Sequence, residues 1–214
     1  IKVGFVTVHA LDTTGTPGAL LGTTITADDG SYAVDIGTYT GNILVEVKKG
    51  TYIDEATLLE KTNQSLRAAV TQVKGSAVVM VTPFTEIAVR TAGALTTDNI
   101  ENANALAGTM AGGADIIGTR PADVLNAEEC ANAASYEIDY GLALASLSGM
   151  ANGNIQDAMA KISEDIKDGK LDTQGVKLKD SLLAFLNNPN NQSGVTDPDQ
   201  TEIDDSIVFF SENT

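Results

Sequence analysis

The sequence predicts an α+β chain: an N-terminal β-sandwich over residues 1–82, a helical domain over 83–190, and an acidic linker with a terminal β-strand over 191–214. Three observations carry this. Short β-branched runs recur about every ten residues between Gly- and Asp-rich turns, the pattern of a small sandwich. From Thr82 onward the apolar period lengthens to that of helices. Beyond Asn187 the chain turns polar and acidic, then ends in Ile207-Val208-Phe209-Phe210, a contiguous apolar run that cannot form an amphipathic helix.

The first β-run is Val3 to Leu11, stopped by Asp12-Thr13-Thr14-Gly15-Thr16-Pro17-Gly18. Leu20 to Ala27 is the second, closed by Asp28-Asp29-Gly30, where Asp and Gly tolerate positive φ. Tyr32, Val34 and Ile36 alternate with small or polar residues, as a half-buried strand does. Ile43 to Val47, Leu66 to Val73 and Ala77 to Val81 complete the set, with Lys74-Gly75-Ser76 between the last two.

Thr82-Pro83 followed by Glu86 reads as a helix start, with a capping hydroxyl, a Pro in the first turn and a carboxylate at the positive end of the dipole. Phe84, Ile87, Ala88 and Thr91 then share a face. Asp98 begins a second helix through about Met110. Ala133 to Met150 is a third, with Tyr136, Tyr140, Leu144 and Leu147 in one stripe. Asn154 to Asp168 and Lys177 to Leu186 follow, and Asn187-Asn188-Pro189 ends the last.

Composition excludes several functions. Lys plus Arg total 13 against 29 Asp plus Glu, a net charge of −16. By segment it is −2 for residues 1–82, −8 for 83–190 and −6 for the tail. Such a surface repels phosphate backbones and anionic lipid, so neither a nucleic-acid partner nor a membrane surface is expected. No apolar run approaches membrane-spanning length. The chain opens at Ile1 without a Met, and its acidic, Gly/Thr/Asn-rich composition is common in secreted bacterial surface proteins. We expect a removed signal peptide and an extracellular, cell-surface location.

Chemistry is sparse. His9 is the single imidazole and Cys130 the single thiol, so neither a His/Cys zinc cage nor a disulfide framework within the chain is available. The carboxylates flanking Cys130 raise its pKa rather than activate it. No Gly-x-Ser-x-Gly elbow and no phosphate-binding loop occurs, and the expectation is a protein without enzymatic activity. Asp165 to Asp172 resembles a calcium loop but fails at two ligand positions, Ile166 and Gly175, and reads better as a helix-ending turn. Asp197, Asp199, Glu202, Asp204 and Asp205 are dense enough in hard oxygen ligands for calcium, against the alternative of a solvated acidic linker. Asn63-Gln64-Ser65 and Asn191-Gln192-Ser193 match the glycosylation pattern.

Val6-Thr7-Val8-His9-Ala10-Leu11 followed by Ala27-Asp28-Asp29-Gly30-Ser31-Tyr32 resembles the prealbumin-like (Ig-like) sandwich of carboxypeptidase regulatory-like domains. Thr51-Tyr52-Ile53-Asp54-Glu55-Ala56-Thr57, Leu66 to Val70 and Val81 to Ala88 are similar to bacterial surface proteins and lipoproteins that join this sandwich to a helical region. The resemblance runs in short pieces over residues 3–186 and implies no catalytic residues. Domains of that family begin with a further strand, whereas only five residues precede Val6 here. The resemblance thus implies a sandwich lacking its first strand, with an acceptor edge at Val3, Phe5, Val6 and Val8. Ser206, Ile207, Val208, Phe209, Phe210 and Ser211 would be the strand that fills it in a neighbouring copy, against the alternative of an edge strand docking on this chain's own sandwich. Such a head-to-tail contact does not close, and repeats into a filament. The expected function is therefore a secreted subunit of a pilus-like extracellular fibre, a homopolymer built by donor-strand complementation. The alternative is a glycan-, peptide- or calcium-binding module of a larger surface adhesin, with surface glycans or other cells as partners.

Overall fold

In the computed structural model, which describes residues 1–197, the N-terminal third of the chain forms one antiparallel sheet in the order β2-β1-β3-β6. Its strands are β1 (Phe5–Leu11), β2 (Pro17–Ile25), β3 (Thr40–Lys48) and β6 (Ser65–Lys74). A separate hairpin pairs β4 (Thr51–Ile53) with β5 (Glu60–Thr62). Six helices follow: α1 (Pro83–Ala92), α2 (Thr97–Met110), α3 (Ala127–Asn132), α4 (Ser135–Ala151), α5 (Ile155–Asp165) and α6 (Gly175–Leu186). The α+β class and the order of sheet then helices are as the sequence predicts. The terminal strand lies outside the described residues.

The sandwich is a correction, because the other sheet among the described residues is the two-stranded β4–β5 hairpin, and no second sheet forms the other half of a sandwich. One face of the sheet presents Val6, Val8, Ile43, Val45, Val47 and Val73. Two extended stretches without ladder partners cover it, carrying Tyr32, Val34, Ile36, Val79 and Val81. They are tied to each other through a side chain, the Tyr32 hydroxyl donating to the Val79 carbonyl at 2.8 Å. Alternation at 32–36 and 77–81 therefore reports which side chains are buried, while the strand bonding it suggested is absent. At Gly22 the cover lies so close that a Cβ would sit 2.5 Å from a Val34 methyl.

The opposite face is covered only in part. Leu11, Leu44 and Ala69 meet Val89 of α1, Ile100 of α2 and Leu95 between them. Thr82 caps α1 with reciprocal bonds: the Thr85 N–H donates to its hydroxyl at 3.4 Å, and its own N–H donates to the Thr85 hydroxyl at 2.9 Å. Glu86 turns away from the expected dipole role. It lies buried between two guanidiniums, accepting from Arg67 of β6 at 3.0 and 2.7 Å and from Arg90 at 2.7 Å. The main core gathers the helices around Phe84, Met110, Leu142, Leu147, Ile162 and Leu182. Tyr140 packs edge-on to Phe84 at 6.1 Å and shares a hydrogen bond with the Thr82 hydroxyl at 2.6 Å. Its stripe-mate Tyr136 is exposed, since α4 is buried on several sides rather than along one stripe.

Candidate assembly surface

Strand order decides where another strand could add. β1 pairs with β2 on one side and β3 on the other: Phe5 faces Ile25 and Lys48, Val6 faces Thr24 and Val47, and Val8 faces Gly22 and Val45. The predicted acceptor edge is therefore corrected. Val6 and Val8 are core residues of an interior strand whose ladder is filled on both sides. Val3 precedes the strand at φ 54°, with its N–H donating to the Thr26 carbonyl at 3.2 Å. The sheet's edges are β2 and β6.

These two edges differ. The outer carbonyls of β6 at Ala69 and Ser65 accept from the Asn104 and Gln156 amides at 3.1 and 3.0 Å, so helical side chains occupy that side. No strand or helix among the described residues bonds to the outer side of β2. β2 is nine residues long, uncharged and mostly exposed. Unprotected edges of this kind invite pairing with another chain.

Residues opposite one another in a ladder share a face, so the face that the helices leave open is readable row by row. The rows are Ile25–Phe5–Lys48, Thr23–Thr7–Glu46 and Leu20–His9–Leu44. Helices cover the third row at Leu44. Over β1 and β2 the face stays open, with Phe5, Ile25 and Leu20 exposed by 45%, 60% and 56%. On β1 and β2 the shorter Thr7 and Thr23 lie between these large apolar side chains. Lys48 caps one end of the first row, 2.8 Å from Glu46. Lys2 and Lys49 are also exposed, Lys49 following Lys48 in the chain and Lys2 bridging to Thr51.

The other predicted sites resolve individually. His9 contributes only a 3.3 Å contact to the Gly18 carbonyl. Cys130 is buried with its thiol 3.3 Å from the Asp123 carbonyl, and burial, with Asp123 and Glu129, pushes its pKa up. Asp165 ends a helix as expected, accepting from the N–H groups of Thr173 and Gln174, with Gly169 at φ 85° closing the turn. Asp197 is the only member of the acidic tail cluster among the described residues; Asp199, Glu202, Asp204 and Asp205 lie outside them. No three His, Cys, Asp or Glu side chains among the described residues stand close enough to share a metal ion. Both glycosylation asparagines are occupied. The Asn63 amide donates to the Val47 and Lys49 carbonyls, and that of Asn191 to Leu186 and Val195.

Sequence reasoning missed a cleft of about 270 Å³ between the β4–β5 hairpin and the helices, lined by Tyr52, Asp54, Glu55, Leu66, Leu144 and Ser148 among others. Burial, then the neighbouring Asp54 and Asp123, push the Glu55 carboxyl up to about 7. The hairpin joining these residues is too short to announce itself in the sequence. No helix among the described residues is long and apolar enough to cross a membrane. No known family, curated protein or solved structure matches the chain.

Proposed function

We propose that this chain is a structural subunit of an extracellular bacterial fibre, assembled head to tail by adding the terminal segment Ser206–Ser211 of one copy to the sheet of the next. The open outer side of β2, flanked by exposed Phe5, Leu20 and Ile25, is the observation that carries this reading. A complementary element stands in the sequence, four apolar residues behind an acidic stretch. The chain from Asp197 to Ser206 reaches at most about 30 Å when extended. Covering each apolar side chain contributes roughly 1.5–3 kcal/mol, and backbone pairing along β2 sets the register. A donor on one end and an acceptor elsewhere form a heterologous contact, which propagates.

Negative-stain electron microscopy of the chain with and without Ser206–Thr214 tests the reading. Filaments that vanish on deletion are expected. Discrete particles in both samples would overturn it.

A further inference from the structure

We infer that the cleft between the β4–β5 hairpin and the helices is a binding site for a small organic ammonium, a primary amine on an apolar body, with its charged end at Glu55 and Asp54. This goes beyond the fibre reading and does not rest on it, since that reading stands on the open side of β2.

The cleft is held open by bonds that a ligand need not make. Asn63, buried at the foot of the hairpin, donates its amide to the Val47 and Lys49 carbonyls. At the tip, one Asp54 carboxylate oxygen accepts from the Thr57 N–H at 2.8 Å and from the Thr57 hydroxyl at 2.6 Å. The Leu58 N–H donates to the Asp54 carbonyl at 2.7 Å. The Ala56 N–H reaches the Ser148 hydroxyl at 3.4 Å and ties the turn to α4. Hairpin and helix are thus set before a ligand arrives, which lowers the ordering cost of binding. Leu66, Val81, Pro83, Leu144 and Ile155 make the walls apolar. At about 270 Å³ the cleft falls just below the roughly 300–1,000 Å³ of drug-sized sites, which suits a smaller molecule.

The groups at the acidic end select the ligand. Glu55 and Asp54 both line the cleft, and Asp54 is buried. The Glu55 carboxyl accepts a hydrogen bond from its own N–H and makes no ion pair among the described residues. Of the charges that act on it, Asp54 and Asp123 oppose its ionised form, and both outweigh the Ile1 amino group, which favours it. The Tyr52 phenol, pushed up by burial and then by Asp54 and Glu55, stays uncharged. Lys61 stands opposite Tyr52 in the hairpin ladder and also lines the cleft, but no ion pair joins it to either carboxyl. A carboxyl taken out of water beside other carboxylates needs a cation or a proton, and burial, the largest cause, keeps the proton on Glu55 up to about 7. An ammonium supplies the cation together with three N–H donors. As it binds, Glu55 releases one proton to water and a charge-assisted pair forms. A carboxylate ligand meets like charges at this end, and a neutral one gains no ion pair.

Equilibrium dialysis of the full chain at physiological salt tests this, with benzylamine, benzyl alcohol and benzoate as probes of similar body and different charge. At pH 8 benzylamine is expected to bind at least about tenfold more tightly than either of the others. Its affinity should fall about 30-fold from pH 8 to pH 5.5, as Glu55 takes up its proton while the amine stays charged. Glu55→Gln keeps the volume and should lose about tenfold or more at pH 8, together with the pH dependence. Glu128→Gln, the same charge change at an exposed position outside the cleft, should bind as wild type does. The probe and pH comparisons use the unmodified chain, so they decide even where Glu55→Gln fails to fold. Benzoate or benzyl alcohol binding as tightly as benzylamine overturns the inference, as does an affinity unchanged between the two pH values. An unaffected Glu55→Gln, an equally weakened Glu128→Gln, or no binding of any probe overturns it too. None of these results bears on whether filaments form.

Discussion

Glu86 is the residue whose loss should damage the fold most for the least change in shape. Its carboxylate, 3% exposed, accepts three charge-assisted hydrogen bonds, two from Arg67 and one from Arg90. Arg90 also donates to the Gln156 side chain at 2.6 Å, and Gln156 in turn donates to the Ser65 carbonyl at 3.0 Å. One carboxylate therefore ties β6, α1 and α5 together. Replacing it with Gln keeps the volume, removes the charge and sets an amide N–H against a guanidinium. Breaking a buried pair by removing one partner costs about 3–5 kcal/mol. The two arginine side chains are 34% and 25% exposed, so water recovers part of that, and about 2–4 kcal/mol is expected. At this chain length each kcal/mol moves the midpoint by about 2–4 °C, so Glu86→Gln should lower Tm by roughly 10 °C. Urea unfolding followed by circular dichroism, with the slope unchanged, is the assay. The triple variant Glu86→Leu, Arg67→Met, Arg90→Met should return to within about 1–2 kcal/mol of wild type, because no charge is left unpaired. A Glu86→Gln loss below about 0.5 kcal/mol, the range of ordinary surface changes, would refute the reasoning.

Other consequences are equally direct. Burial raises the Glu55 pKa to about 7 in the folded chain, so the fold favours its protonated form, and stability should fall as pH rises from the ordinary carboxyl value through 7. Glu55→Gln should flatten that slope and stabilise the protein at pH 8 by about 1–2 kcal/mol, discounted for partial exposure, as read from urea midpoints at pH 5 and 8. Gly22→Val drives a side chain into Val34 and the Asp35 carbonyl, and a loss of about 1–3 kcal/mol is expected in the same assay. Tyr140→Phe leaves the buried Thr82 hydroxyl and Ile116 carbonyl without their shared partner, at a cost of about 1–2 kcal/mol in Tm or urea midpoint. The Cys130 thiol should react with a thiol reagent at pH 8 far more slowly in the folded chain than in urea.

Local signals served well wherever the structure is local. Thr82-Pro83 begins α1 with the capping geometry its residue types imply. Asn154 caps α5 through the Asp157 N–H at 3.2 Å, and Gly169 supplies the left-handed turn that ends the Asp165 segment. Elements of three to six residues, namely β4, β5 and α3, left no trace because so few residues establish no period. Tyr32, Val34 and Ile36 mark the limit of what alternation can say. They are partly buried in turn against the sheet, yet the backbone between them finds no ladder.

The open edge of the sheet was hidden for a deeper reason. Whether β1 is an edge or an interior strand depends on β2 and β3 both pairing with it, and the second of those contacts closes over more than 25 intervening residues. Val6 and Val8 read identically in either case, apolar residues alternating along a strand. What the sequence does carry is the contrast between strands once their order is known. β6 brings Arg67 to Glu86 and offers carbonyls to Asn104 and Gln156, whereas the outer side of β2, with Gly18, Gly22 and three threonine or isoleucine positions at its end, is bonded by no strand or helix among the described residues. A long edge without charge or Pro in its interior is what proteins ordinarily guard against. On the fibre we propose, the guard for this edge and for exposed Phe5 and Ile25 comes from another copy, and the apolar run at Ile207–Phe210 is the segment of the sequence with the composition to provide it.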